Sequence, residues 1–385
     1  MQQQISSIRK WLGSKHNNSF RFMSYNILAD SLLQDNEKQL KSYEWNTRWP
    51  LIFSQIKKYK PDILCLQELD YDEKDLTQLL IQDKYEKLYL KRTQENQKDG
   101  CALFYLKQKY KLIKTYNIHL KQENLFYNSK SRIDKPNVCL ITVLQDINDP
   151  NPLIIANSHL IFNKNRGDLK LCQIQLIMLA LQTLQFTYQN SKIIWCGDFN
   201  LTPNSALYSY ISQGQQQFSR LNPKRISGQY NISYHPIDYI QDRINVQKKC
   251  GEFNIQYEEQ DYDYEYDLYV QALRCQIIND TISFHQAELN PYPIVETPIK
   301  FRSVYADFQR KKSKDLNDFY AKWSTYEPLI TTMSSSQVGC VDYIWINKLQ
   351  IAQVLQIPTV KDLIENPIVN SEEGSDHLAL VCDLY

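Results

Sequence analysis

Short apolar runs that end on a charged or amide side chain recur along the chain. "FRFMSYNIL" (20–28) carries Asn26 near its end, "DILCLQELD" (62–70) carries Glu68 at its tip, and "KIIWCGDFN" (192–200) closes on Asp198 and Asn200. Runs of this length, bounded by turn residues, predict buried strands. Further strands are predicted over 101–106, 138–145, 152–158, 342–347 and 378–384. Between them the apolar spacing shifts to the helical period. One helix is predicted over 45–60, with Pro50 in its first turn and Pro61 ending it. A longer one is predicted over 168–184, with Asp168 as its N-cap. Interleaved strands and helices make the class α/β or α+β.

Composition adds bounds. At 385 residues and 43% hydrophobic content the chain buries a large core, and length alone permits one to three domains. Lys plus Arg number 44 against 43 Asp plus Glu, a net charge of +1, so any site for a polyanion must be local. No run reaches the ~18 apolar residues of a membrane span, and no membrane partner is expected. Nine cysteines, with no C-x-x-C pair and most inside apolar runs, predict reduced core residues and an intracellular location. The cytoplasm is expected. Mitochondrion and nucleus are the alternatives, because the first 29 residues hold Arg9, Lys10, Lys15 and Arg21 and no acid. Residues 1–19 read as a polar, basic tail. A surface insertion is expected around 222–300, and within it Gly251–Tyr269 has seven acidic residues, tyrosines between them and no Lys or Arg. That stretch reads as a solvated excursion or as a docking segment for a protein partner.

The chemistry lies at the strand ends. Asn26, Glu68, His159, Asp198, Asn200, Asp342 and the pair Asp376-His377 each fall at or just past the end of a predicted strand. Singly, each has a structural role open to it: Asp198 capping a turn, Asn26 satisfying one, His159 in the core. Together they form a set that one sheet layer brings to one rim. Hard divalent cations take oxygen ligands, often one or two carboxylates, which suits Glu68 and Asp376 to Mg²⁺, with Mn²⁺ as a substitute. Phosphodiester hydrolysis also needs a water held and deprotonated, and donors on the phosphorus oxygens. Asp198 can orient the water, and the Asn26 and Asn200 amides can bond the phosphate. Asp342 is the expected partner that sets the tautomer of His377.

"SYNIL", "DILCLQELD", "NSHLIF", "WCGDFNLTPNS", "VDYIW" and "SDHLAL" resemble, in order and spacing, the motifs of the endonuclease/exonuclease/phosphatase superfamily. The resemblance covers 20–385 and implies one domain, a four-layer α/β sandwich of two face-to-face mixed sheets flanked by helices, as in DNase I-like proteins. Within the superfamily the chain is similar to the deadenylase-like group of nocturnin and the carbon catabolite repressor nucleases. It is most similar to Angel proteins, through "WNTRWPLI", "KDGCALFY", "FNKNRGDLKLCQ", "RISGQY" and "EPLITTM". Matched motif by motif, the resemblance implies that Asn26 and Asn200 lie on the phosphate and Glu68 on the metal. His159 matches the phosphate-contacting His, Asp198 the "GDFN" Asp, and Asp342 with His377 the late dyad. An enzyme is implied, a Mg²⁺-dependent hydrolase.

The group's poly(A) nucleases usually grip adenine with a Pro and an aromatic, where this chain has Lys164 and Gln337. Single-stranded RNA or RNA 3′ ends are therefore the expected substrate, by exonuclease or 2′,3′-cyclic phosphatase action, without strict poly(A) preference. Lys164 and Arg166, together with Arg310, Lys311 and Lys312 of the stretch "RKKSKDLNDFYAKW", are the expected substrate-side cations. Two other readings stand beside this one: a non-catalytic scaffold subunit, and a lipid or small-nucleotide phosphodiesterase.

Overall fold

The computed structural model describes residues 9–35, 37–94, 96–121, 135–218, 221–222, 224–229, 294–297, 299–312, 325–334, 337–358, 362–363 and 368–385. One sheet has the order β1 (Trp11–Gly13), β16 (Ile351–Leu355), β17 (Leu380–Leu384), β2 (Phe20–Asn26), β3 (Ile63–Asp70), β5 (Asp99–Leu106) and β4 (Tyr85–Lys91). The other has the order β12 (Arg302–Ser303), β15 (Asp342–Asn347), β9 (Lys192–Asp198), β8 (Leu153–His159), β7 (Val138–Asp146) and β6 (Tyr110–His119). Two small ribbons pair β10 (Gln215–Gln217) with β11 (Ile294–Glu296), and β13 (Thr332–Met333) with β14 (Val338–Gly339).

Alternation along the strands builds the layers, because successive side chains leave opposite faces. Phe22, Ile63, Cys65 and Leu103 of the first sheet meet Leu140, Ile155, Ile194 and Ile344 of the second in a core between the sheets. Their neighbours Met23, Tyr25, Leu64 and Leu66 point the other way, onto Ile52 and Ile56 of α1 (Trp45–Tyr59) and Leu76 and Leu80 of α2 (Asp75–Gln82). On the far side Ile154, Trp195 and Trp345 pack on Ile174, Ile177 and Leu181 of α3 (Gly167–Thr187) and Leu207 of α4 (Ala206–Gln213). Val304, Tyr305 and Phe308 of α5 (Val304–Lys312) join the inter-sheet core. The four-layer sandwich of two mixed sheets is therefore the fold. Among the described residues α3 alone is long and apolar enough to cross a membrane, and half of that stretch is buried here against the second sheet.

One polar link crosses the core. Gln67 Nε2 donates to Asn157 Oδ1 (2.7 Å), and Asn157 Nδ2 donates to the carbonyls of Leu66 (2.9 Å) and Ala102 (2.8 Å). Both residues are fully buried.

Several sequence expectations need correction. The tail does not run to residue 19: β1 pairs with β16, and the buried Arg9 donates to the carbonyls of Gln356 (2.9 Å) and Ala379 (2.6 Å). These carbonyls draw in a cation that composition alone leaves in solvent. Pro50 stands in the second turn of α1, not the first, because the helix begins at Trp45. Asp168 does not cap α3. It lies inside the first turn and pairs with Arg166 (2.9 Å), whose backbone is the cap. The expected insertion is joined to the domain at both ends, through 224–229 and β11, and the acidic stretch 251–269 lies outside the described residues.

Candidate active site

Two parallel pairings fix the rim. β2 runs parallel to β3, and β8 parallel to β9, so the ends of these four strands gather Asn26, Glu68, His159 and Asp198. In the second sheet His159 lies directly opposite Asp198, and Asp198 opposite Asp342 across the antiparallel β15. Gly197 makes the first of these contacts achievable. Its φ is +131°, and a Cβ there would sit 1.8 Å from the Ser158 carbonyl oxygen, so only glycine lets β8 and β9 close up behind the site. Two further backbone departures aim side chains. A register shift between Leu66 and Leu69 places Glu68 at φ +56°, and Asn200 stands at φ +50°. For residues with a Cβ this conformation costs about 1–2 kcal/mol each, which the surrounding contacts must offset.

Asp198 is the hub. Its Oδ1 accepts from the Asn200 backbone N–H (2.9 Å), and its Oδ2 accepts from Asn26 Nδ2 (3.2 Å). That same oxygen lies 3.4 Å from His159 Nε2 and 3.9 Å from His377 Nε2. Asn26 Nδ2 also donates to Glu68 Oε1 (3.0 Å), while Glu68 Oε2 accepts from the Ala29 N–H (3.1 Å). Burial pushes Asp198 up to about 7, with Asp342 and Glu68 adding to the rise and His377 opposing it. A carboxylate tuned there is matched to general-base work near neutral pH.

The two histidines are held in different states. His377 Nδ1 donates to Asp342 Oδ2 (2.8 Å), which also accepts from Thr331 Oγ1 (2.6 Å). Burial by itself lowers the His377 pKa, but Asp342, Asp376 and Asp198 outweigh it and hold the imidazole well above its ordinary value, protonated. His159 is the opposite case. Burial, Arg92 and His377 all push it well below its ordinary value, so it is neutral. Arg92 Nη2 lies 2.8 Å from His159 Nδ1, and a guanidinium can only donate. His159 Nδ1 therefore accepts, and its one proton sits on Nε2. The Asn200 Nδ2 amide lies 3.2 Å from that Nε2 and donates to the Leu160 carbonyl (3.2 Å). Two N–H groups thus converge beside Asp198, whose Oδ2 lies 3.4 Å from His159 Nε2. An anionic oxygen is the group that satisfies both.

The donor set also fits a divalent cation. Among the described residues Glu68, His159 and Asp198 form one cluster of potential ligands, and Asp198, Asp342 and His377 another. Asp376 joins neither cluster, but its Oδ1 is buried without a hydrogen-bond partner. Burial raises both Glu68 and Asp376, and the charge of Asp376 adds to the rise at Glu68. Two carboxylates disfavoured as anions in the free protein would be relieved by a cation held between them.

The expected substrate-side cations stand on two segments, the start of α3 and the end of α5. Arg166 pairs with Asp168 at the start of α3, and Lys164 lies in the loop before it. Arg310, Lys311 and Lys312 form the last turn of α5. Arg310 stands over the Tyr326 ring (5.5 Å), Lys311 pairs with Asp307 (3.2 Å), and Lys312 stands over Phe308 (4.9 Å). Phe319, Tyr320 and Trp323 of the same stretch lie outside the described residues. Gln337 sits in the turn between β13 and β14. Sequence reasoning missed Arg92, Asp99, Thr331 and Gln229 as parts of the site. Asp99, Thr331 and Gln229 stand in "KDGCALFY", "EPLITTM" and "RISGQY", which mark the resemblance without marking a role, and Arg92 carries no signal.

A family model described as Endonuclease/Exonuclease/phosphatase family matches residues 23–377. The chain belongs to this family. The endonuclease/exonuclease/phosphatase relatives it matches include carbon catabolite repressor protein 4 homolog 3 of Arabidopsis thaliana, 27% identical over 94% of this chain and 74% of the relative. Protein angel homolog 2 of Homo sapiens is 26% identical over 96% of this chain and 69% of the relative. Among solved structures of the family, ANGEL2, a 2′,3′-cyclic phosphatase in complex with adenosine-2′,3′-vanadate, superposes with a TM-score of 0.71 at 26% identity, covering 98% of both chains. The human nocturnin catalytic domain shares the fold, with a TM-score of 0.60 at 20% identity, covering 100% of this chain and 99% of the other. The chain is a hydrolase of the phosphoester-cleaving endonuclease/exonuclease/phosphatase type.

Proposed function

We propose that the chain hydrolyses a phosphoester at RNA 3′ ends, with a terminal 2′,3′-cyclic phosphate as its substrate. One observation carries the chemistry: the Nε2–H of neutral His159 and the Asn200 amide converge beside Asp198. A phosphate oxygen seated on those donors puts phosphorus next to the carboxylate. Asp198 takes a proton from water as the water oxygen bonds to phosphorus. One ribose–oxygen–phosphorus bond breaks, and the protonated His377, held by Asp342, gives the leaving oxygen its proton. Glu68 and Asp376 would hold Mg²⁺, which supplies charge neutralisation at the phosphate when bound.

Likeness to ANGEL2 along almost the whole chain supports the cyclic ester, and the adenine-gripping Pro and aromatic of the poly(A) nucleases are replaced by Lys164 and Gln337. The complete acid–base set argues against a scaffold without catalysis.

The test uses RNAs of one sequence ending in 3′-hydroxyl, 3′-phosphate or 2′,3′-cyclic phosphate, each incubated with the protein and Mg²⁺. Opening of the cyclic end is expected. Shortening of the 3′-hydroxyl RNA with the cyclic end untouched would make the chain an exonuclease instead. Asp198→Asn is expected to lower turnover on the cyclic end by ~10²-fold or more, the scale of a lost general base.

A further inference from the structure

Lys170, in the first turn of α3, is fully buried. Its ammonium donates to Gln229 Oε1 and reaches Ser227 Oγ (3.4 Å), both neutral partners. Burial pulls it down to about 7, against the attraction of Asp198. A lysine placed this way destabilises the fold relative to an apolar side chain of its size, so packing alone gives no reason for it.

A reason lies in the direction of its hydrogen bonds. An ammonium has only N–H groups to offer, so Gln229 turns its carbonyl oxygen toward Lys170. Its Nε2 then faces the other way and donates to Asn200 Oδ1 (3.3 Å). With Oδ1 occupied, Asn200 turns Nδ2 toward Leu160 O and the point where the His159 proton is aimed. The segment that brings Gln229 here is fastened to the same loop: Thr202 N–H donates to Ser227 O (2.9 Å), and Leu207 N–H to Ile226 O (3.3 Å).

We propose that Lys170 and Gln229 are positioning residues that hold the Asn200 amide with its N–H, and not its oxygen, facing the substrate phosphate. This rests on the reading of Asn200 as a phosphate contact. A flipped Asn200 would present a carbonyl oxygen to an anion, which repels it.

The test is Gln229→Glu. A glutamate gives Lys170 a charged partner, so the melting temperature is expected to stay level or rise, but it has no N–H for Asn200. Turnover on the cyclic-phosphate RNA is expected to drop about tenfold or more, as when an outer partner of an active-site group is lost. Lys170→Met, which keeps the volume and removes the donor, is expected to do the same. In an Asn200→Ala background Gln229→Glu should cost nothing more, because the amide it orients is gone. Turnover within twofold of the parent for both single variants, or losses that simply multiply in the double variant, would overturn the proposal.

A readout without substrate separates this from the RNA reading. With ¹⁵N-asparagine labelling, the side-chain amide of Asn200 is expected to exchange slowly with solvent in the parent and fast in Gln229→Glu. Equal exchange rejects the positioning role. A parent that opens no cyclic end but shows the slowed exchange rejects the substrate and leaves the positioning role standing.

Discussion

Arg92 holds two neighbours at once: its Nη2 lies 2.8 Å from His159 Nδ1, and its Nε donates to Asp99 Oδ2 at 2.7 Å. Asp99 is fully buried. The guanidinium thus neutralises a carboxylate and sets the tautomer of the histidine. Arg92→Leu is expected to lower turnover by about 10–100-fold, through the freed imidazole. It is also expected to cost about 3–5 kcal/mol in stability, because Asp99 is left as a buried unpaired charge. Adding Asp99→Asn should restore most of the melting temperature and none of the turnover. Recovery of both together would reduce Arg92 to a structural role.

Glu68 separates metal binding from folding. Burial already disfavours its charge, so Glu68→Gln in cation-free buffer is expected to melt at the parent's temperature or above. On titration with Mg²⁺ the parent should gain stability by mass action, about 2.7 kcal/mol at 100 times the dissociation constant, while the variant gains little and stays inactive. Calorimetry across a Mg²⁺ series measures both. A variant that gains as much as the parent shows that Glu68 is not a ligand.

The pH dependence of stability has a source outside the site. Glu327 is buried, accepts from Tyr208 Oη (2.8 Å), and is pushed up to about 7, chiefly by burial. Its ordinary value is 4.5. Between pH 4.5 and 7 the folded chain therefore holds a proton that the unfolded chain has released, so this group's contribution declines as pH rises through that window and is lost above it. Glu327→Gln is expected to flatten the fall in melting temperature between pH 5 and about 7.5. An unchanged slope would show that Glu327 is ionised in the folded state.

The last turn of α5 tests the local-charge argument. Neutralising Arg310, Lys311 and Lys312 together is expected to raise KM for RNA, flatten its dependence on salt and leave turnover at saturation unchanged, since each lost phosphate contact releases fewer counterions. Lys311 already pairs with Asp307, so Lys311→Ala alone should contribute least. An identical salt slope in the triple variant would put this face away from the nucleic acid.

The strand-tip residues were legible in the sequence because each borders an apolar run, and a buried run bordered by a carboxylate or amide has few purposes. Asp198 closes its run and Asp342 opens one, and the register sets them opposite each other. Arg92 was hidden because it lies beyond β4, in a polar stretch with no period to mark it. Only the antiparallel pairing of β4 with β5 carries it to Asp99. Lys170 was hidden for another reason. Helical spacing sets it on the buried stripe of Ile174, Ile177 and Leu181, but a lysine by its type is assigned to solvent, and Ser227 and Gln229, which receive its ammonium, come from far along the chain.

The Gln67–Asn157 link has a consequence for how the enzyme fails. The hydrophobic effect between two apolar faces has no direction of its own, whereas a hydrogen bond fixes both distance and angle. Gln67 adjoins Glu68, and Asn157 stands two residues before His159, so this amide pair works as an alignment pin between the halves that carry them. A population whose sheets have slipped past that pin keeps its helices, its strands and most of its buried area, and spectroscopy counts it as folded. It no longer catalyses. Specific activity then reports the parallelism of the two sheets, as a gauge that reads zero while the frame still stands.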